Sequence, residues 1–511
     1  MGKTILAIDN GTQSIRALLF DLDGELLAKS QLAIGEYEAE HTGWSEYDPE
    51  KFWQLLGQAC KTLWEEGNDP GNVACVTVTT QRGTVICLDK DGKVLRPAIT
   101  WMDERQLEDI PPLPFKWRAL FALVGQSGAI NQLRKDTEAN WIAQKQPDIW
   151  ARTDKFVQLS GFLNTRLTGH CVDSVGSQVG YFPFDYKTQS WAAPKHWLWD
   201  ALEIKREQLP ELVKPGERIG ALTDEARQHL GLPECIPVIA SAADKACEIV
   251  GAGANDASIG CLSYGTRATA SIQTSKYFLY PAPLPSYPAA FADMYTPEAA
   301  VPLGYWMVNW FKQEFGHPER RRADKQNIAP ETLFDELLLA TPPGAMGLVL
   351  RPNWGGNIGK DKASKGAILG FRELHTRGHL YRAIVEGIAF ELRKGLSEIA
   401  KKNGVPITKI RVSGGGSQSE AIMQITADIF GLPTERPHIY ETSGLGAAMV
   451  ASVGMGLHKD FSTAMTKMAK QGRVFHPDQD AVKIYDKLYA EVYTKLPKQL
   501  SIIDQALDKI F

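Results

Sequence analysis

Residues 4–16, T-I-L-A-I-D-N-G-T-Q-S-I-R, are the most informative segment of the chain for its fold. Residues 4–8 form a largely apolar run that predicts a buried β-strand, and a second apolar run at 17–20 predicts its partner. Polar residues and a glycine separate the two runs, which indicates a tight turn. The sequence therefore predicts a strand–turn–strand hairpin with Asp9 at the end of its first strand.

The predicted turn carries residue types that can hold a phosphate. Gly11 lets backbone N–H groups approach an anion closely, and Thr12 and Ser14 add hydroxyl donors. Arg16 adds a positive charge, and Asp9 is placed to hold Mg²⁺ through water, as Mg²⁺ is commonly held beside phosphates. A plain hairpin turn would show the same glycine, so this segment alone leaves both interpretations open.

The second half of the chain begins in the same way. Residues 259–263 form another apolar run, Gly265 and Thr266 interrupt it, and residues 267–272 resume it. A third glycine turn, at 414–416, follows a predicted strand and precedes a helix predicted over 419–430. Each turn alone also fits an ordinary flexible connection. Together they would supply loops from two domains to one bound nucleotide.

Composition narrows the class of protein. The length of 511 residues suggests two or three domains. The content of 44% hydrophobic and 23% charged residues is that of an ordinary globular protein. The net charge of −4 gives no support to nucleic-acid binding. No apolar run reaches the ~18 residues of a membrane helix, and the seven cysteines form no C-x-x-C pair. We therefore expect a cytoplasmic protein with reduced thiols that binds neither nucleic acid nor membrane.

Hydrophobic periodicity and turn residues predict further secondary structure. The predicted elements are a helix beginning at Asp48 and Pro49, a strand at 73–79 with a hairpin partner at 85–88, a mainly helical region at 105–235, a loop at 281–303 and a helix at 376–402.

One carboxylate is a candidate for the chemistry. Asp244 follows a short apolar stretch of small residues at 239–243 and precedes G-A-G at 251–253. Transfer of a phosphoryl group to an alcohol needs a carboxylate that orients or deprotonates the hydroxyl, and Asp244 suits that role. The alternative is a helix N-cap, and the two roles are compatible because a cap can also face a cleft.

A second group of residues suits a sugar. Gln81 and Arg82, with Trp101 and Asp103, place planar hydrogen-bonding groups near an aromatic ring. Sugars need this mixture, since their hydroxyls take hydrogen bonds and their apolar face packs on a ring. A charge cluster on the protein surface is the alternative interpretation.

Together these segments resemble the FGGY family of carbohydrate kinases over nearly the whole chain. The opening motif is similar to the family's D-x-G-T-x-S-x-R phosphate loop, and Asp244 falls where the family keeps its catalytic aspartate. Phe371 departs from the family's C-terminal signature, which prefers an aliphatic residue there. The other similar segments are W-S-E-Y-D-P at 44–49, R-P-A-I-T-W-M-D-E-R at 96–105, G-A-I-L-G-F at 366–371, H-L-Y-R-A-I-V-E at 379–386, R-V-S-G-G-G at 411–416 and E-T-S-G-L-G-A-A at 441–448.

The resemblance implies an α/β fold of two ribonuclease-H-like domains of the actin/hexokinase superfold, with an interdomain cleft. Residues 1–250 would form the sugar-binding domain and residues 251–511 the nucleotide-binding domain. Asp244 would be the base and Asp9 would lie near Mg²⁺, with ATP as the phosphoryl donor. The residues implied in binding ATP are Thr12, Gln13, Ser14, Arg16, Gly265, Thr266, Gly415 and Gly416. Those implied in binding the sugar are Gln81, Arg82, Trp101, Asp103, Asp244 and Lys245.

The substrate follows less directly from the resemblance. Arg82 matches the Gln-Arg-Glu pattern of glycerol kinases, but Gly83 replaces the Glu, and Lys245 and Leu133 stand where those enzymes have Gln and Tyr. Xylulose kinases often carry Gln-Met-His where this chain has Gln81, Arg82 and Gly83. Our hypothesis is a kinase of a ketose, a pentulose such as xylulose.

Several alternatives remain open at this point. One is a kinase of glycerol or another polyol, and another is a kinase of a sugar acid whose carboxylate Arg82 and Lys245 would bind. A non-catalytic ATP-binding sensor of the same superfold is the hypothesis from a different class. The expected partner is a small-molecule sugar, and a homodimer is the expectation from the family.

Overall fold

The predicted opening hairpin is present. Thr4–Asn10 and Ser14–Phe20 pair as antiparallel strands, and Asp9 lies directly opposite Arg16 in their register. Every residue of the first strand is buried, as expected for an apolar run at the centre of a sheet. The hairpin therefore brings an acidic and a basic residue together at the end of a buried strand.

The chain folds into two units. The computed structural model describes residues 2–354 and 364–510. The segments of the first unit are Met1–Gly251, Tyr287–Met294 and Glu441–Ala469. Those of the second unit are Ala252–Ser286, Tyr295–Tyr440 and Lys470–Phe511. Two segments from the second half of the sequence thus belong to the first unit.

A six-stranded sheet forms the centre of the first unit. Its strands, in order across the sheet, are Leu26–Ala33, Ser14–Phe20, Thr4–Asn10, Val73–Thr80, Pro237–Ile239 and Arg218–Ala221. The first three strands alternate in direction, the next two run parallel to the third, and the last is antiparallel to its neighbour. Helix Pro49–Glu65 buries Phe52 and Leu56 in the core of this sheet.

The second unit repeats this topology in its own six-stranded sheet. Its strands, in order, are Glu298–Val301, Ala268–Ser271, Ile259–Tyr264, Lys409–Ser413, Thr434–Glu435 and Val474–Phe475. The directions follow the same sequence as in the first sheet. Helix Arg377–Asn403 buries Tyr381 and Ile384 in its core. The predicted α/β class with two sheet-containing units is confirmed.

Helices surround both sheets. Those of the first unit are Pro49–Glu65, Phe115–Leu123, Ser127–Asp136, Glu138–Lys145, Pro147–Arg152, Leu159–Thr168, Leu198–Ala201, Asp224–Leu230, Asp244–Gly251, Thr442–Gly454 and Phe461–Met468. Those of the second unit are Gly304–Phe315, His317–Gln326, Pro330–Leu339, Arg377–Asn403, Glu420–Phe430, Gln479–Glu491 and Leu496–Ile510. Across residues 2–354 and 364–510, no helix combines the length and the apolar character needed to span a membrane.

Short strands complete the first unit, and one prediction about them is wrong. Residues 85–88 do not pair with the strand at 73–79, because Thr4–Asn10 and Pro237–Ile239 occupy both edges of that strand. Residues 85–88 belong to a separate sheet. That four-stranded sheet consists of Glu46–Tyr47, Ala98–Ile99, Val85–Leu88 and Lys155–Gln158. The smaller two-stranded sheets pair Phe184–Asp185 with Ser190–Trp191 and Val172–Ser174 with Glu211–Val213.

Two further sequence predictions need correction. The region 105–235 is not mainly helical throughout, since it also supplies Lys155–Gln158 and Arg218–Ala221 to sheets. Residues 281–303 are not simply a loop. They contain the short strands Tyr287–Pro288, Tyr295–Thr296 and Glu298–Val301. Strands of two to four residues are too short to show an alternating pattern, so local periodicity does not reveal them. One more short pair, Val349–Arg351 with Ala367–Leu369, lies in the second unit.

Candidate active site

The end of the first strand carries a buried ion pair. Arg16 Nη1 lies 3.0 Å from Asp9 Oδ2 and 3.3 Å from Glu441 Oε2. Asp9 is only 3% exposed. Burial raises the pKa of Asp9 to about 7; Arg16 opposes this rise, while nearby carboxylates, Asp244 first, add to it. Negative charge therefore accumulates around Asp9, a setting that favours a bound cation.

Glu441 is a site residue that the sequence reasoning missed. It lies at the N-cap position of helix Thr442–Gly454, is 5% exposed, and forms ion pairs with both Arg16 and Lys29. Lys29 lies on strand Leu26–Ala33 of the first sheet, 412 positions earlier in the chain. Glu441 opens the E-T-S-G-L-G-A-A segment, but no local pattern links that segment to Arg16.

These residues fit a magnesium site in which water and phosphate supply most of the ligands. Within the described part of the chain, no group of three or more His, Cys, Asp or Glu side chains could hold a metal ion. Asp9 and Glu441 nevertheless offer buried carboxylates, and neither side-chain polar atom of Asn10 has a hydrogen-bond partner among the described residues. Mg²⁺ is commonly held by one or two carboxylates together with waters and substrate phosphates. Asp9 is the residue that would hold it.

The first hairpin turn links two groups of predicted residues. Thr12 Oγ1 donates to Gln81 Oε1 over 3.1 Å, and Trp101 Nε1 donates to Thr12 Oγ1 over 3.0 Å. The Trp101 side chain remains 42% exposed. Thr12, predicted to bind phosphate, thus lies in one hydrogen-bonded chain with Gln81 and Trp101, predicted to bind the sugar.

The other residues of this turn differ in their exposure. The Gly11 amide donates to the Ser14 carbonyl over 3.1 Å and closes the turn. Ser14 is buried, and its hydroxyl accepts from Gln31 Nε2 over 3.3 Å. Gln13 is exposed. Of the two polar side chains, only that of Gln13 is openly accessible to a ligand.

Glycine contacts determine where Asp244 lies. Its helix, Asp244–Gly251, packs against Thr442–Gly454 within the first unit. A Cβ on Gly446 would lie 1.9 Å from the Cys247 carbonyl oxygen, and a Cβ on Gly251 would lie 1.8 Å from the Thr442 carbonyl oxygen. Any larger residue would push the two helices apart. The position of Asp244 therefore depends on a segment from the other half of the chain.

Charged groups surround Asp244. Its Oδ1 accepts a hydrogen bond from the Lys245 amide over 2.7 Å. Burial raises the pKa of Asp244, and the charges of Lys245 and Arg82 offset part of that rise. Lys245 Nζ in turn lies 2.8 Å from Glu248 Oε2. Burial lowers the pKa of Lys245, but Glu248 and Asp244 outweigh burial and raise it overall. The sequence reasoning missed Glu248, although its i,i+3 spacing from Lys245 was visible.

The turn that carries Arg82 rests on a buried polar network. The Gly83 amide donates to Gln158 Oε1 over 3.4 Å, and Gln158 Nε2 donates to Gln178 Oε1 over 3.3 Å. Gln178 Nε2 then donates to Asp173 Oδ2 over 2.8 Å. Asp173 is fully buried, and burial raises its pKa to about 6, while hydrogen bonds from Ser160, the Ser174 amide and Gln178 lower it. The network holds the turn in place, because buried polar groups keep their partners.

Arg82 itself lies over an aromatic ring. Its guanidinium carbon is 5.3 Å from the ring centroid of Tyr287, and the Tyr186 ring lies 5.9 Å from the same centroid at 69°. The Tyr186 hydroxyl shares hydrogen bonds with the Gly180 backbone. Neither tyrosine was selected from the sequence. Tyr287 lies in the predicted loop 281–303, and no motif includes Tyr186.

Asp103 is engaged by neighbouring protein groups. It accepts two hydrogen bonds from Arg105 side-chain nitrogens, each over 2.7 Å, and one from the Ser45 amide over 2.6 Å. The Arg105 guanidinium lies 4.0 Å from the Trp44 ring centroid and 4.6 Å from that of Trp141. These contacts describe a packing role for Asp103, and its sugar-binding role stays a prediction.

The second unit carries its own glycine hairpin. The Gly265 carbonyl accepts from the Tyr305 amide over 3.1 Å, and the Thr266 carbonyl accepts from the Trp306 amide over 3.4 Å. The turn therefore packs against the start of helix Gly304–Phe315, and Thr266 is exposed. An exposed threonine on a fixed turn suits the predicted role in phosphate binding.

In the third glycine turn, the two glycines predicted to bind ATP, Gly415 and Gly416, have different surroundings. A Cβ on Gly416 would lie 2.2 Å from the Tyr305 ring, so this glycine is required by packing. A Cβ on Gly415 would meet only the Tyr440 hydroxyl, at 3.5 Å. Tyr440 is 46% exposed. Gly415, beside an exposed ring, is the better placed of the two to face an adenine.

Comparison with known proteins extends over most of the chain. The model described as "FGGY family of carbohydrate kinases, N-terminal domain" matches residues 4–251, and that of the C-terminal domain matches residues 260–455. A xylulose kinase of Lactococcus lactis subsp. lactis is 27% identical over 513 residues, 98% of this chain and 98% of that protein. A glycerol kinase of Thermococcus kodakarensis is 28% identical over 502 residues, 96% of this chain and 95% of that protein.

Solved structures agree with the fold. The crystal structure of a xylulose kinase from Rhodospirillum rubrum superimposes with a TM-score of 0.81 at 25% identity, covering 98% of this chain and 100% of the other. This likeness supports the predicted actin/hexokinase superfold. Because family models match both halves, the chain belongs to the FGGY family of carbohydrate kinases, phosphotransferases that use ATP.

Proposed function

We propose that this kinase transfers the γ-phosphoryl group of ATP to a hydroxyl of a ketose, a pentulose such as xylulose. The observation that carries the proposal is the half-buried carboxyl of Asp244 at the start of its helix, with Lys245 and Arg82 acting on its charge. A carboxylate whose pKa is raised by burial and moderated by cations is suited to accept a hydroxyl proton near neutral pH.

In this proposal Asp244 is the general base. It takes the proton of the acceptor hydroxyl as that oxygen attacks the γ-phosphorus in line, and the bond to the β–γ bridging oxygen breaks to release ADP. Transfer is direct, without a phosphoenzyme. Gln81, Arg82 and Trp101 hold the acceptor by hydrogen bonds and ring packing.

The phosphates are bound by residues of both sequence halves. Asp9 holds Mg²⁺, which neutralises charge on the phosphates when it is bound. Arg16 is oriented by Asp9 and Glu441 before the nucleotide arrives. The other residues assigned to ATP are Thr12, Gln13, Ser14, Gly265, Thr266, Gly415 and Gly416. In functional terms, we assign the sugar mainly to residues 1–250 and the nucleotide mainly to residues 251–511.

The choice of a pentulose draws on the relatives. The relative named xylulose kinase matches nearly the full length of both chains, at 27% identity. Relatives named glycerol kinase match at similar identity, so glycerol or another polyol is an alternative acceptor. A sugar acid is a further candidate, because Arg82 and Lys245 bring two cations to Asp244 and arginine binds carboxylates in bidentate fashion.

The test is acceptor-dependent release of ADP from Mg²⁺-ATP. D-xylulose, D-ribulose, glycerol and D-gluconate would be compared, with Asp244→Asn measured in parallel. Highest kcat/KM on a pentulose, abolished in the variant, would support the proposal. Highest kcat/KM on glycerol or gluconate would replace the pentulose with that class. Full activity of Asp244→Asn would overturn the role of Asp244.

A further inference from the structure

The segment Tyr287–Met294 comes from the second half of the sequence but belongs to the first unit. The contacts that fasten its far end are Gln189 Nε2 to the Met294 carbonyl at 2.8 Å, Lys214 Nζ to Asp293 Oδ2 at 2.8 Å, and the Phe291 and Phe461 rings with centroids 4.1 Å apart. A segment anchored in this way presents its first residue, Tyr287, at a defined place on the first unit.

That first residue lies against Arg82. The guanidinium carbon is 5.3 Å from the Tyr287 ring centroid, and the edge-on Tyr186 ring supports Tyr287 from 5.9 Å. The charge of Arg82 acts on both Asp244 and Tyr186, so the guanidinium is close to the proposed base and to this aromatic pair. Tyr287 therefore constrains a cation beside Asp244.

We propose that Tyr287 is a positioning residue for the acceptor: its ring holds Arg82 in the orientation that donates hydrogen bonds to the bound sugar. An unrestrained arginine samples many rotamers, and ordering it would cost binding free energy each time a sugar binds. A ring in place beforehand removes much of that cost. The inference rests on the proposed function, since it requires the acceptor to bind beside Asp244.

The test compares Tyr287→Leu, which removes the ring, with Tyr287→Phe, which keeps it. Phe115→Leu is the matched control, because Arg118 lies 6.0 Å from the exposed Phe115 ring elsewhere in the first unit. Acceptor KM, ATP KM, kcat and melting temperature would be measured with the best acceptor among D-xylulose, D-ribulose, glycerol and D-gluconate. We expect Tyr287→Leu to raise acceptor KM by about 3- to 30-fold, as for loss of a cation–π contact, with ATP KM unchanged.

The conservative variant and the control define the other outcomes. Tyr287→Phe should keep acceptor KM close to wild type, and Phe115→Leu should change neither KM. An unchanged acceptor KM in Tyr287→Leu, an equal rise in ATP KM, or failure of Tyr287→Phe to restore binding would overturn the inference. No turnover by the wild type on all four acceptors would instead overturn the proposed function, and this role with it.

A second variant keeps the test informative if Tyr287→Leu does not fold. Asp293→Asn removes the exposed ion pair with Lys214 at the far end of the segment and leaves Tyr287 in place. Asp293 has φ 60°, a conformation that asparagine also tolerates. We expect a rise in acceptor KM of about 1.5- to 5-fold, the scale of a surface ion pair. A rise confined to ATP KM, or no rise, would contradict the inference.

Discussion

Arg16 Nη1 lies 3.0 Å from Asp9 Oδ2, and the two residues are register partners on adjacent antiparallel strands. Residues opposed in this way bring their side chains together on one face of the sheet, so the ion pair follows from the strand register. Glu441 adds a second carboxylate to the same guanidinium. Arg16 is thus held from two sides at the end of the strand that would also carry the metal ligand.

Replacing Asp9 by asparagine should remove the proposed metal ligand. Metal ions stabilise transition-state charge by several kcal/mol, so we expect kcat to fall by at least about a hundredfold and the Mg²⁺ concentration for half-maximal rate to rise. Steady-state rates across a Mg²⁺ titration would measure both effects. The exposed Asp91→Asn is the control. A normal Mg²⁺ dependence in Asp9→Asn would contradict the assignment.

Replacing Asp244 by asparagine should remove the base with little effect on binding. General-base catalysis contributes roughly 10²–10⁴-fold, and we expect kcat to fall within that range. Because the carboxamide has nearly the same shape, ATP KM should stay within about threefold of wild type. Kinetics with saturating acceptor would measure both values. A variant that kept most of its kcat would rule out Asp244 as the base.

The pH dependence of the reaction should report the raised pKa of Asp244. The base works only when ionised, so kcat/KM should fall as the pH falls through that pKa. Burial raises the pKa above its ordinary value of 3.8, so the decline should begin at a higher pH than for an exposed aspartate. Arg82 lowers this pKa, and Arg82→Ala should therefore move the acid limb to higher pH. A shift to lower pH in that variant would contradict the electrostatic account.

Replacing Gly446 by alanine should destabilise the first unit. The new Cβ would lie 1.9 Å from the Cys247 carbonyl oxygen, and overpacking of this kind costs about 1–3 kcal/mol of unfolding free energy. Because the helix of Asp244 would shift, activity should fall as well. Urea unfolding would measure the stability change.

Gly128→Ala is the matched control for that experiment. Gly128 lies in helix Ser127–Asp136, and a Cβ there would meet nothing within 4 Å. We expect it to be neutral or to stabilise the protein by up to about 1 kcal/mol, since alanine is the better helix former. Equal losses in the two variants would show that the close approach at Gly446 is not the cause.

Local signals predicted individual elements well. Asp48 caps helix Pro49–Glu65 by accepting a hydrogen bond from the Glu50 amide, as its position before a proline indicated. The helix predicted at 376–402 is Arg377–Asn403. The pairing of residues 85–88 could not be read in the same way. Only Val85 pairs with the nearby strand Ala98–Ile99, while all four residues pair with Lys155–Gln158, which is distant in sequence, and such pairing leaves no local trace.

The same distinction between local and long-range information applies to the residues of the candidate site. Asp9, Arg16 and Asp244 were selected as candidates from the sequence because each lies in a short pattern whose chemistry can be recognised locally. Glu441 and Tyr287 were not found, because each contacts the first unit from a position far along the chain. No spacing rule connects Tyr287 with Arg82, and their contact exists only after the segment has folded back.

Local sequence patterns were enough to predict the two glycine hairpins, the position of the central strands, the acidic residues that suit phosphoryl transfer and the family resemblance. These depend on hydrophobic periodicity and turn chemistry, which act over a few residues. Three relationships emerge only from the folded chain: Glu441 shares Arg16 with Asp9, Gly446 packs closely against the helix of Asp244, and the Tyr287 ring lies against Arg82. Those contacts arise from the packing of segments hundreds of residues apart, and local patterns carry no record of such packing.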